Sequence, residues 1–379
     1  MGEEPTPTQS ASALLPGDAG WTFVGDPFAE GLDGQEVQLD EAASNDGTSV
    51  VTGRVSNSTK FSGKYAGGMT WSSADGRTWT HSDFWNQLAN GPLHSLGVAA
   101  FSSGFVAYAV EYADQGTQAD TRFFISSDGQ AWQEAGRIAG WEVTRVAAAD
   151  DLLIAIAMDW HHEHGSIWYS SDGRSWQQSA DPNADLVGLR ATAVTATDSA
   201  ITVLSATDSD AQLWRTPDGE AWAKWATLPD SPGSDRAYSF RSVMAVGPNG
   251  WSVVAIHETD SSSKWYAWHS FDGADWVRVQ PAPHDVQAIV ASDDGFVAAG
   301  HEVTGSCCAY ASYEIKGITW WSPDGLEWHP VKQSGWKGRE LDALLFHDGV
   351  LLGLGVEWSP DEVPSGALWL ADPRTFADL

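Results

Sequence analysis

Short runs of β-branched and aromatic residues alternate with polar, turn-forming clusters along the chain, and runs of this kind are strand signals. Residues 142–180 display the order once. Glu142-Val-Thr-Arg-Val-Ala-Ala-Ala149 predicts a strand, and Asp150-Asp151 a tight turn. Leu152-Leu-Ile-Ala-Ile-Ala-Met158 is apolar throughout, as a second strand buried on both faces would be. A polar loop from Asp159 to Gly165 leads to a third strand, Ser166-Ile-Trp-Tyr-Ser170. Ser171-Asp172-Gly173 turns the chain into a short fourth strand, Ser175-Trp-Gln-Gln178.

Both turns recur. The first returns as Asn45-Asp-Gly47, Ser102-Ser-Gly104, Asp198-Ser199, Pro248-Asn-Gly250, Asp293-Asp-Gly295 and His347-Asp-Gly349. Asp-Gly and Asn-Gly supply the positive φ that hairpin turns need. The second reads Trp71-Ser-Ser-Ala-Asp75-Gly76-Arg-Thr-Trp79, then Phe124-Ile-Ser-Ser-Asp128-Gly129-Gln-Ala-Trp132 and Trp168-Tyr-Ser-Ser-Asp172-Gly173-Arg-Ser-Trp176. Further copies end at Trp222, Trp276 and Trp328, and a worn one, Asp372-Pro-Arg-Thr-Phe376, closes the series. The aspartates step by 53, 44, 46, 54, 52 and 48 residues, the size of a four-stranded sheet. Seven such sheets, stacked radially and closed into a ring, cover each other's faces and remove long exposed edges.

The expectation is therefore an all-β, seven-bladed β-propeller of four-stranded antiparallel blades over residues 21–379. Its blades lie near 35–83, 92–135, 141–179, 187–226, 237–280, 285–331 and 338–376. Closure requires the chain ends to meet in one blade or in adjacent ones. Trp21-Thr-Phe-Val24 is a candidate outer strand beside Gly366–Leu370, in competition with the segment after Pro373.

The Ser-x-Asp-Gly-x-x-Trp phrase resembles the Asp-box of bacterial sialidase-like (BNR) repeats, over about residues 35–376. It is one residue shorter between Asp and Gly than the usual family form, and only Thr78-Trp79 keeps the Thr-Trp ending. The resemblance implies a propeller with the boxes as scaffold on the face opposite the ligand face. It implies no sialidase activity. The arginine triad, Tyr–Glu nucleophile pair and acid Asp of true sialidases have no residue-by-residue match, and that family usually has six blades.

Composition narrows the partners. Lys+Arg total 20 against 51 Asp+Glu, a formal charge of −31, so nucleic acid and anionic membrane surfaces are disfavoured. No apolar stretch reaches the 18 residues of a membrane span. Residues 1–20, rich in Pro, Ser, Thr and Glu, predict a disordered tether. Such a tail resembles the spacer behind a signal peptide or lipoprotein anchor. We expect a monomer, extracellular or at the cell surface, with lipid anchoring through a removed N-terminal segment as one form of this and Met1-Gly2 as an added start.

On the expected ligand face, the loops after the second strands bring Glu111-Tyr112, Asp159-Trp160-His161-His162-Glu163-His164, His257-Glu258, His301-Glu302 and Glu357-Trp358. The connections between blades add Arg145, Arg190, Arg241 and Arg339, among others. Three readings stand. Glu111, Glu258, Glu302 and Glu357 are candidate acid, base or nucleophile of a glycoside hydrolase or polysaccharide lyase, which needs two carboxyl groups roughly 5 to 9 Å apart. His161, His162 and His164, facing His257 and His301, are candidate ligands of a divalent metal, the one cofactor alternative to none. Tyr112, Trp160, His257, His301, Trp358, Arg145 and Arg241 are candidate contacts of a glycan or protein ligand bound without chemistry. Cys307-Cys308, the only cysteines, lie in an insert on the same face, as a vicinal disulfide, free thiols or soft-metal ligands. No Walker loop, HExxH or GxSxG motif occurs.

Overall fold

Every predicted four-strand unit forms a sheet of its own. The computed structural model describes residues 20–29, 32, 36–45, 47–56, 67–82, 93–112, 119–159, 161, 163–181, 183–184, 187, 190–197, 199–233, 240–259, 262–304, 314–331, 336–358 and 364–378. The chain enters through β1 (Trp21–Gly25). Blade 1 follows as β2 (Glu36–Asn45), β3 (Thr48–Ser56), β4 (Gly67–Ser73) and β5 (Thr80–Ser82). Blade 2 is β6 (Leu93–Phe101), β7 (Gly104–Tyr112), β8 (Ala119–Ser126) and β9 (Gln133–Ala139). Blade 3 is β10 (Glu142–Ala149), β11 (Leu152–Met158), β12 (Gly165–Ser170) and β13 (Gln177–Gln178). Blade 4 is β14 (Ala191–Thr197), β15 (Ala200–Ala206), β16 (Ala211–Thr216) and β17 (Ala223–Thr227). Blade 5 is β18 (Phe240–Gly247), β19 (Gly250–Thr259), β20 (Ser262–Ser270) and β21 (Val277–Val279). Blade 6 is β22 (Val286–Ser292), β23 (Gly295–Thr304), β24 (Glu314–Ser322) and β25 (His329–Pro330). Blade 7 is β26 (Arg339–His347), β27 (Val350–Trp358) and β28 (Pro364–Ala371), completed by β1.

Strands pair antiparallel in chain order within each blade. The first strands touch one another in an unbroken circuit: β2, β6, β10, β14, β18, β22, β26 and back to β2. The fold is a seven-bladed β-propeller, with those strands around its axis. Antiparallel order puts the starts of the first strands and the ends of the second strands on one face, here called the mouth. The 1–2 hairpins and the Asp-Gly turns lie on the other.

The core lies between blades. In one layer Val51 and Trp71 of blade 1 pack with Leu345, Leu352 and Leu368 of blade 7. In another, Tyr108 and Phe123 of blade 2 pack with Val143 and Leu153 of blade 3. Second strands carry the most of it, and every residue of β15 is buried. A strand covered on both sides has no reason to alternate polar with apolar, hence the continuous apolar runs.

The repeated turn is a local hydrogen-bonding device joined to an interblade contact. Asp172 Oδ1 accepts the backbone N–H of Arg174 and of Ser175 at 2.8 Å each, and Gly173 N–H donates to Ser170 Oγ at 3.0 Å. Asp75, Asp128, Asp218, Asp272 and Asp324 accept the same two bonds. These bonds favour the ionised carboxylate and hold its pKa below the usual range, for Asp128 and Asp172 as the leading cause. The glycine has positive φ, and its open side meets the preceding blade: Gly173 faces Ile125 and Val106, Gly219 faces Tyr169, and Gly76 closes the circuit against His347 of blade 7. A side chain at Gly273 would collide with the Trp225 ring.

Ring closure falls to β1. Trp21 pairs with Ala371 and Phe23 with Trp369, so the N-terminal strand is the outer strand of blade 7. Trp21 is 2% exposed and packs on Trp336 and Phe376. The competing segment forms a 3-10 turn instead, Pro373–Asp378, and its Phe376 is buried in the same cluster.

Candidate functional site

Six of the seven first strands carry a β-bulge near the mouth, and only β18 pairs without one. The unpaired residues are Asp40, His94, Thr144, Thr192, Gln287 and Asp342. A bulge re-aims its side chain, and proteins use bulges beside functional sites. Thr192 Oγ1 is 2.7 Å from Ser242 Oγ of unbulged β18, a neutral stitch between blades 4 and 5. Asp40 and Asp342, on adjacent blades 1 and 7, place two carboxyls at the same height.

Acids and one histidine converge there. Glu340 and Asp342 flank Leu341, which is fully buried. The bulge at Asp342 turns its carboxyl to the same side as that of Glu340. His301 comes from blade 6. β22 begins at Val286, which pairs with Gly300, whereas β23 runs on to Thr304. The end of β23 therefore lies alongside β26 of the next blade. One ring nitrogen of His301 and one carboxylate oxygen each from Glu340 and Asp342 lie within 4.8 Å of one another. His301 Nδ1 is 3.9 Å from Glu340 Oε2. The other oxygen of Glu340 accepts the indole N–H of Trp358 at 2.6 Å.

The surrounding acids are held back from ionisation. Burial, reinforced by the charges of Glu340 and Asp40, pushes Asp342 up to about 7. Burial pushes Glu41 up to about 7, against the pull of Arg145 and a 3.2 Å bond from Val98 N–H. Burial raises Asp40 as well, despite a two-pronged pair with Arg54 at 3.0 and 2.5 Å. Asp26, just after β1, reaches about 6 through burial, although Phe28 and Ala29 N–H donate to it. Such a group of half-buried carboxyls could hold a cation or donate protons near neutrality.

The residues singled out from sequence are distributed around the mouth. Glu111 is paired with Arg122 at 3.0 Å, Glu258 with Arg241 at 2.9 Å and Glu357 with Arg339 at 3.0 Å, each pair within one blade. Glu302 is half-buried near the end of β23. His257 is half-buried on β19, opposite Lys264. Arg145 is exposed on β10, within electrostatic reach of Glu41. Arg190 is paired with Asp208 at 2.6 Å. His161 and His164 are exposed, and Asp159 organises their loop by accepting the N–H groups of Glu163 and His164. Trp160, His162, Cys307, Cys308 and the side chain of Tyr112 lie outside the described residues. Of the whole set, His301 and Trp358 meet at one point, and they do so through Glu340, which the sequence reading did not single out. Asp26, Asp40, Glu41 and Asp342 were also missed.

No family model matches the chain, and neither does any curated protein sequence. Solved structures do. The β-propeller domain of the Trilobed protease from Pyrococcus furiosus, described by its open velcro topology, superposes with a TM-score of 0.52 at 10% identity, covering 88% of this chain and 95% of that one. The endosialidase of phage phi92 gives 0.52 at 9% identity, over 94% and 69%. A Trypanosoma rangeli sialidase in complex with sialic acid gives 0.48 at 12% identity, over 90% and 55%. At such identities the likeness is one of fold alone, a β-propeller.

Proposed function

We propose that this protein is a recognition propeller of the Asp-box type, exported or displayed at the cell surface, which binds a glycan or a protein segment at its mouth. The observation that carries this reading is the pairing of Glu111, Glu258 and Glu357, each with an arginine of its own blade. A carboxylate fixed beside a guanidinium is a hindered nucleophile, but a well-defined polar contact. A rim of such pairs around an acid-lined centre suits neutral or basic ligands, and the charge of −31 works against sialic and uronic acids. The endosialidase and the protease propeller share the fold, and the propeller is a frame on which both binding and hydrolysis are built.

The test is binding of the full chain to a glycan array and to a peptide display library, with product analysis of every hit. Binding that leaves the ligand intact supports recognition. New reducing ends or unsaturated products would replace it with the second reading, a hydrolase or lyase. Asp342 favours that second reading, since burial pushes its carboxyl up to about 7 and it lies close to Glu340. Turnover abolished in D342N with binding retained would establish it.

A further inference from the structure

We infer that His301, Glu340 and Asp342 form a binding site for one divalent transition-metal ion of the zinc class, built across the junction of blades 6 and 7. This deepens the recognition reading by naming what would sit at the centre of the mouth, and it rests on that reading only for its purpose.

Four observations converge. One imidazole nitrogen and two carboxylate oxygens come together within 4.8 Å, from strands of different blades. His301 Nδ1 is fully buried and has no hydrogen-bond partner among the described residues. Its 3.9 Å separation from Glu340 Oε2 is too long for a hydrogen bond. Two donors sharing one ion at ordinary bond lengths of about 2.0–2.2 Å stand roughly 3–4 Å apart, so an ion between them satisfies both. Glu340 is also pre-oriented: the Trp358 indole holds Oε1 at 2.6 Å and leaves Oε2 turned to the histidine. Hydrogen bonds of this kind from an outer shell orient metal-binding carboxylates. Finally, neither Glu340 nor Asp342 pairs with a lysine or arginine among the described residues, while neighbouring Arg54 and Arg339 are engaged by Asp40 and Glu357. Two carboxyls without a basic partner, beside an imidazole nitrogen that has none, match a cation site in geometry.

The donor set selects the ion. Imidazole with carboxylate suits zinc, and calcium and magnesium prefer oxygen alone. Three protein donors leave a position open for water or for a donor of the ligand.

The test is calorimetric titration of the chelator-treated, untagged full chain with Zn²⁺, with no organic ligand present. We expect one ion per chain, undisturbed by excess Ca²⁺. H301Q and D342N should abolish that site, and W358F should weaken it by about 10- to 100-fold, the usual range for an outer-shell partner. H161Q and H164Q should leave it unchanged. Absence of stoichiometric binding would overturn the inference, as would binding that survives H301Q and D342N or vanishes in H161Q. If either inner variant fails to fold by circular dichroism, X-ray absorption of the wild-type zinc complex decides. One imidazole among oxygens supports the site, and two or more imidazoles, or any sulfur, refute it. Because no glycan or peptide enters the titration, its failure leaves the recognition reading standing. An empty glycan and peptide screen leaves the metal site standing in turn.

Discussion

Compare two arcs of the ring at the height of the bulges. Between blades 3 and 5 the first strands present Thr144, Thr192 and Ser242. Thr192 bridges to Ser242 and, with Thr144, returns a bond to the backbone carbonyl of its own second strand. Between blades 6 and 2 the same height carries His301, Glu340, Asp342, Asp40 and Glu41, of which Asp342 and Glu41 are pushed up to about 7 by burial. The backbone does not explain the difference, because bulged strands occur in both arcs. The residues that repeat from blade to blade hold the ring together, and the departures from the repeat gather on one side of it. In a protein made of copies, the position where the copies disagree in charge is where function is to be sought.

Opening the ring on the charged side should have the largest effect. Trp21→Ala removes the buried anchor of β1, and replacements of this kind cost about 3–5 kcal/mol. The urea midpoint should fall accordingly, and aggregation should rise as the edge of β28 is uncovered. A midpoint unchanged from wild type would mean that β1 does not close the ring.

The next effect separates the arcs by pH. Glu41 has a folded pKa of about 7, above its ordinary 4.5, so the folded chain keeps a proton that the unfolded chain releases. Its contribution is complete below about pH 4.5 and is lost as pH rises toward 7, by about 1 to 3 kcal/mol. Charges facing it are Arg145, which opposes the shift, and Asp40, which adds to it. Thermal unfolding at pH 5 and pH 7.5 should show this decline, to which Asp26, Asp40 and Asp342 add in the same direction. E41Q should make it shallower by the share of Glu41. An equal decline in E41Q would assign it to other groups.

Smaller losses belong to the scaffold. Asp172→Ala deletes two backbone hydrogen bonds of one turn and should cost about 1–2 kcal/mol, with metal and ligand binding at the mouth unaffected. Thr192→Val should cost about 1 kcal/mol, independent of pH between 5 and 8, since its partners are a hydroxyl and a carbonyl. A pH-dependent loss in T192V would erase the distinction between the arcs.

The scaffold was legible because its chemistry is local. Asp, Gly and Trp at fixed offsets specify a turn whatever surrounds them, and the six turns bond alike. Closure by Trp21–Val24 was legible as one of two options, and burial of Phe376 beside Trp21 explains why both segments are apolar. The acid cluster was not legible, for two reasons. A bulge at Asp40 or Asp342 shifts the register by one residue without a sequence signal of its own. The meeting of His301 with Glu340 depends on how far β23 outruns β22, a matter of neighbouring blades rather than of either segment. Trp358 illustrates the cost of reading loops alone: an indole at the mouth suggests a stacking platform, and here its N–H is spent on a carboxylate.

The pairing of Trp21 with Ala371 has a consequence for orientation. Gly20 sits against Thr375 and Phe376, so the first and last described segments meet on the side of the Asp-Gly turns. The described chain therefore begins and ends on that underside. Both ends of the described chain are thus kept a blade's depth away from the acid-lined opening, which neither of them covers.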